Sequence, residues 1–253
     1  MIVENIFYSL GRLDAPVSCL NNFPSLNLKK DITTKSIDRY TEVMSLKDYK
    51  PNGININLRT LTTFLKWAYR RNHINNLPFV DKVKIAKSLP SYLSDMEFSK
   101  VIEKSDDHHS KVFIMYRNTG MRLTEPVLGD LKGNTLAISA EHSKTRMERS
   151  ILLNPEDVPV VYELQERYKT WRNKVKVKKT KYFADKYSKE FKRICRIVEL
   201  DNKFHDLRHT FAVRRYLMTR DIYQVMKEMG HSKITTTQIY ADFQISRLEI
   251  NFP

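Results

Sequence analysis

HDLRHTF at residues 205–211 and GHSKITTTQIY at residues 230–240 are the two stretches on which the reading of this chain turns. At helical periodicity, spacings of three and four put His205, Arg208 and His209 on one side of a helix. Histidines four apart can chelate zinc. Here the glutamate of a HExxH motif and an evident third ligand are missing, and an arginine stands inside the cluster, which suits a phosphate better than a metal ion. Ahead of the second stretch Asp221 reads as an N-cap. Ile222, Val225, Met226 and Met229 follow at helical spacing, and Gly230 is the stop. Tyr240, one of 13 tyrosines, would by itself be a packing residue; its place shortly after the Gly230-His231 turn is what singles it out.

Two further segments offer groups suited to an anion. In TGMRLTE, residues 119–125, Gly120 permits a tight turn and Arg122 lies near the start of a short helix, so a planar guanidinium and helix amides could face one phosphate. Pro126 directly after Glu125 is tolerable within a first turn, where amide hydrogens lack intrahelical partners. The segment 142–149, HSKTRMER, lies between two apolar alternations, 135–138 and 150–153, that predict a short sheet. It reads as a hairpin tip able to project a long cation. Lys144 is the candidate proton donor there, with Lys132 and Arg146 as competitors.

Ser94 to Glu97 forms a capping box after Pro90, which marks a domain boundary at about residue 90. Before it, a helix is expected over about 35–46, a turn at Pro51-Asn-Gly53, and an amphipathic helix over 54–72. In that helix Leu58, Leu61, Leu65 and Tyr69 make the apolar stripe, while Arg59, Thr63, Lys66 and Arg70 fall elsewhere on the surface. After Gly120 and the short sheet, the chain reads as helical again from Pro155. Residues 167–181 carry eight Lys or Arg and no acid: a track for a nucleic-acid backbone, or simply a solvated face.

The chain has 253 residues, is 41% apolar and carries a formal charge of +15, so it is expected to fold as a soluble protein with a polyanionic partner. Cys19 and Cys195 lie far apart, with no ligand spacing around them, which predicts neither a disulfide framework nor a zinc site. No run approaches a membrane span, and a cytoplasmic location is the expectation.

TGMRLTE, SKT, HDLRHTF and GHSKITTTQIY occur in the order and approximate spacing of the tyrosine recombinase, or phage integrase, family, and the chain resembles its Xer-like and integrase branches over about 91–253. The resemblance implies a mainly α fold with a small antiparallel β-sheet. It implies a helical core-binding domain over 1–90, to which the 54–72 helix is similar, and a catalytic domain over 91–253, the two forming a clamp around DNA. It further implies that Tyr240 attacks the scissile phosphate and forms a 3′-phosphotyrosine. Arg122 and Arg208 would hold the nonbridging oxygens, and His205 would serve as base and then acid. Lys144 would protonate the leaving 5′-oxygen, His231 would hydrogen-bond the phosphate, and Glu125 would orient its neighbours, with His209 in support. Arg59, Thr63, Lys66 and Arg70 would face DNA. No metal or cofactor is implied. The partners implied are double-stranded target sites and a homo-tetramer on paired sites, from a protein that is a monomer or weak dimer when free, with accessory DNA-bending proteins as a further possibility. The tail from Ala241 to Pro253, with Phe243, Ile245, Leu248 and Ile250, would dock on a neighbouring subunit or fold back on its own domain. The alternatives are a type IB topoisomerase and a noncatalytic DNA-binding protein descended from an integrase.

Overall fold

The computed structural model describes residues 33–72, 74–86, 89–142, 148–176 and 179–241, and the chain divides into two compact units at residue 87/88. The first unit contains α1 (Thr34–Leu46) and α2 (Pro51–Arg70). Thr33 and Ser36 close a capping box at the start of α1. Ile37, Tyr40 and Met44 of α1 pack against Ile54, Leu58, Leu61, Phe64 and Leu65 of α2. The buried amide of Asn57 donates to the Tyr40 hydroxyl at 3.0 Å, so this polar pair is satisfied inside the core.

Two expectations fail here. Pro51-Asn-Gly53 is the first turn of α2 rather than a loop, because proline at the first helical position has its φ preset and lacks only an amide hydrogen that had no partner there. Tyr69 is 47% exposed and off the apolar stripe, whose place one turn on is taken by Ala68. Arg59, Thr63, Lys66 and Arg70 are all exposed on α2.

The second unit runs α3 (Asp95–Glu103), α4 (Asp107–Thr119), α5 (Glu125–Leu128), β1 (Asp130–Lys132), β2 (Thr135–Ile138), β3 (Arg149–Leu152), α6 (Asp157–Lys174), α7 (Thr180–Ile197), α8 (Phe204–Thr219) and α9 (Ile222–Met229). Two short 3₁₀ turns, Ile234–Thr236 and Gln238–Tyr240, follow. The mainly helical fold with a small antiparallel sheet is as expected, and the Ser94–Glu97 capping box is present. β1, which the sequence did not signal, adds an edge to the sheet, of order β1-β2-β3. Leu136 faces Ile151, and Ile138 faces Arg149. Strand alternation therefore turns Arg149 to the same inner side as Ile151. The core combines Phe113 and Tyr116 of α4, Leu136 and Ile138 of β2, Val161 and Leu164 of α6, and Phe183, Tyr187 and Phe191 of α7 with Phe204 and Leu207 of α8.

The basic stretch of residues 167–181 covers the end of α6 and the start of α7, with Lys169, Arg172, Lys174, Lys176, Lys179 and Lys181 exposed. Cys195 is a buried free thiol, and Cys19 lies outside the described residues. The tail expectation falls almost wholly on 242–253, also outside them. Among the described residues, no helix is long and apolar enough to cross a membrane.

Candidate functional site

Two left-handed glycines shape the site. Gly120 ends α4 at φ +60°, where a Cβ would stand 2.3 Å from the Phe211 ring. Gly230 ends α9 at φ +61°, where a Cβ would stand 2.7 Å from Arg149 Cδ. At either position an L side chain meets both backbone strain and a filled space.

Around the Gly230 turn the two predicted arginines converge. Arg208, only 3% exposed on α8, donates to the Gly120 and Met229 carbonyls, and its Nη2 lies 3.4 Å from His231 Nε2. Arg122 donates from Nη2 to the Gly230 carbonyl at 3.2 Å and from Nη1 to Glu125 Oε1 at 2.8 Å. Glu125, 2% exposed, also accepts from the Arg122 amide at 2.6 Å and from Arg149 Nη2 at 2.5 Å. Burial alone would raise its pKa; Arg149 and then Arg122 outweigh that and hold the carboxylate below its ordinary range. Burial, with Arg122 and Arg149 nearby, pushes Arg208 downward.

Pro126 stands in the first turn of α5. Arg122, Arg208, His231 and Glu125 thus form one connected set. Arg149 belongs to it as well, and no role was assigned to it from the sequence. The signal that could have found it was an arginine two residues before Ile151 on the inner side of a strand.

Tyr240 is 2% exposed, packed with Ala212, Val213, Val225 and Met229. Its hydroxyl is 2.7 Å from Nδ1 of His209. The resemblance implies His205 as its base; the hydroxyl contact is with His209, whose ring centre is 4.8 Å from that of His205. His205 is exposed and shares with Arg208 the lining of a cavity of about 140 Å³. Burial pushes the Tyr240 phenol up to about 12, with Arg208 pulling weakly the other way. Lys144 and its competitor Arg146 lie outside the described residues. The other competitor, Lys132, is paired with Asp130 at 2.9 Å. Among the described residues, no group of three or more His, Cys, Asp or Glu side chains is placed to hold a metal ion.

Burial lowers His209 to about 4, helped by His205; burial and then Arg208 and Arg122 lower His231 to about 4. A neutral His231 can accept from Arg208 at Nε2 while its Nδ1 donates to buried Thr237 Oγ1 at 2.9 Å. Unfolded, both imidazoles would take up protons near 6.5, so between about 6.5 and 4 the unfolded chain binds more protons than the folded one. Their stabilisation is complete above that window and is lost as the pH falls through it. Urea unfolding is expected to give a smaller free energy at about pH 5 than at about pH 7.5, with the difference reduced in a His209→Gln/His231→Gln variant. An unchanged pH slope in that variant would contradict the assignment.

The profile of the phage integrase family matches residues 92–247. The chain is 24% identical over 252 residues to tyrosine recombinase XerD of Rickettsia conorii, covering 87% of this chain and 82% of that one. It is 25% identical over 237 residues to tyrosine recombinase XerC of Thermodesulfovibrio yellowstonii, covering 80% and 75%. In structure it resembles a lambda integrase (75–356) dimer bound to a COC′ core site, with TM-score 0.65 at 18% identity over 96% of this chain and 95% of that one. It also resembles the Tn1549 transposon integrase in complex with circular intermediate DNA, with TM-score 0.60 at 18% identity over 87% and 85%.

Proposed function

Because the chain belongs to the phage integrase family, we propose that it is a site-specific tyrosine recombinase that cuts and rejoins DNA through Tyr240. The observation that carries the reading is the convergence of Arg122, Arg208 and His231 on one turn, with Tyr240 shortly beyond it in the same segment. Two guanidiniums can stabilise the charge that builds on the nonbridging oxygens of an attacked phosphodiester. The Tyr240 oxygen forms a bond to phosphorus, the bond to the 5′-oxygen breaks, and Lys144 supplies the proton to that leaving oxygen. The phosphoester bond is conserved in the 3′-phosphotyrosine, so a 5′-hydroxyl can reverse the step without ATP.

His205 is the base in this scheme, on the family pattern. The 2.7 Å contact supports His209 as the group that holds the phenol before DNA arrives. A phenol with a pKa of about 12 and 2% exposure is a resting nucleophile, and attack requires it to leave its pocket. For His231 to donate to phosphate, the proton must sit on Nε2, with Thr237 then donating to Nδ1.

The unit up to residue 87 serves as the core-binding module, and the unit beyond it as the catalytic domain. Arg59, Thr63, Lys66 and Arg70, exposed along α2, meet the DNA, as does the basic run of residues 167–181. Paired duplex sites, a homo-tetramer, accessory bending proteins and a cytoplasmic, DNA-associated location complete the proposal.

Strand exchange between two plasmids carrying the chain's own genomic flanks tests it. Recombinant junctions are expected with the native protein and none with Tyr240→Phe. Relaxation of any supercoiled plasmid without exchange would favour a type IB topoisomerase. Binding without any processed product would favour a noncatalytic DNA-binding protein.

A further inference from the structure

At the C-terminal end of α9, three successive carbonyls accept from three different arginines. Arg149 Nη1 takes Glu228, Arg208 Nη2 takes Met229, and Arg122 Nη2 takes Gly230. The last carbonyls of a helix lack intrahelical partners and carry the negative end of its dipole, so this terminus is a natural seat for guanidinium groups. Arg122 and Arg208 are the pair assigned to phosphate. Arg149 differs from both: its side chain is 7% exposed, its Nη2 is committed to Glu125, and its Cδ lies against the face of Gly230 where a side chain would stand.

We propose that Arg149 is a positioning residue for the anion pocket, acting on Arg122 through Glu125 and on the Gly230-His231 turn through the Glu228 carbonyl. The inference rests on the phosphate-binding role given above to Arg122 and Arg208. Three guanidiniums and one carboxylate leave two positive charges for an incoming anion. Without Arg149, Glu125 would turn its whole charge on Arg122, the one guanidinium left beside it, and the pocket would keep a single net charge. Arg149 thus neutralises the carboxylate that orients Arg122, so that Arg122 is held in place without being spent. It also fills the space that fixes Gly230 in its left-handed turn, and His231 follows directly in the chain.

The test is calorimetric titration of the full chain with tungstate, a tetrahedral oxyanion, in a cycle of Arg149→Met, Glu125→Gln and the double variant. Arg149→Met in the native background is expected to weaken tungstate binding at least about tenfold, because the pocket loses one unit charge and Glu125 is also left free to draw Arg122 away from the anion. In the Glu125→Gln background the same change should cost clearly less, by about threefold or more, because only the direct attraction of the Arg149 charge remains to be lost. Arg149→Lys, which keeps the charge, should recover most of the affinity. Should Arg149→Met fail to fold, Arg149→Gln, which keeps a donor for the Glu228 carbonyl without a charge, is read in the same cycle. Equal losses in both backgrounds would mean that Arg149 acts by its charge alone and not through Glu125, and unchanged affinity beside a lowered melting temperature would make it a structural residue only; either result overturns the proposal. A native protein that takes up no tungstate would overturn the anion pocket itself, and the proposal with it.

Discussion

Arg208→Ala is expected to slow DNA cleavage by about 10²- to 10³-fold, the usual cost of removing one preorganised donor from a site of developing negative charge. DNA binding should change far less, because Arg208 is 3% exposed and is only one of 44 Lys and Arg residues in a chain of net charge +15. The truncation also takes the donor from the Gly120 and Met229 carbonyls, at about 1–3 kcal/mol for each buried carbonyl left without a partner. Adduct formation and mobility-shift affinity measured side by side separate the effects. Arg208→Lys keeps the charge but cannot bridge two carbonyls and His231 with one ammonium, so it should fall between native and Ala in rate. Equal losses of binding and cleavage would make Arg208 an affinity residue and remove it from the chemistry.

Glu125→Ala is expected to cost about 3–5 kcal/mol of stability, because it leaves charges buried without their counterion. Glu125 is 2% exposed and takes two bonds from Arg122 and one from Arg149, whose own side chain is 7% exposed. Calorimetry should show the melting temperature falling by on the order of 10 °C. Glu125→Gln keeps one acceptor oxygen without the charge, and about 1–3 kcal/mol is its expected cost. Were Glu125→Ala to melt within about 2 °C of the native protein, the guanidiniums would have found water or other acceptors, and the connected set would not be the stabilising unit described.

Much of this arrangement was legible in residues whose signals are local. Ser94 and Glu97, Asp221 with its bonds to the Tyr223 and Gln224 amides, and Gly230 at positive φ are set by a few neighbouring side chains. His205, Arg208 and His209 share a helix because spacing alone decides it. What escaped the sequence depends on partners far along the chain. Arg149 becomes part of the site through the strand register opposite Ile138 and through Glu228, which strand propensity cannot foretell. That His209 touches the Tyr240 hydroxyl depends on how residues 231–240 fold back onto α8. Pro51 misled because the same residue punctuates loops and opens helices. Tyr69 misled because the buried face of α2 is carried by Phe64 and Ala68 as well as the leucines.

In the proposed reaction Tyr240 becomes covalently joined to DNA. The most direct test incubates the native protein and Tyr240→Phe, in EDTA, with nicked duplex fragments from the chain's own genomic neighbourhood, and looks for adducts that survive SDS. Phenylalanine can occupy the same pocket and loses only the hydrogen bond to His209, worth about 1 kcal/mol, so the variant should fold and bind. An adduct is expected from the native protein alone, with the phosphate on Tyr240 in a mapped peptide. No adduct from native protein shown to bind the same fragments, or an equal adduct from Tyr240→Phe, would contradict it.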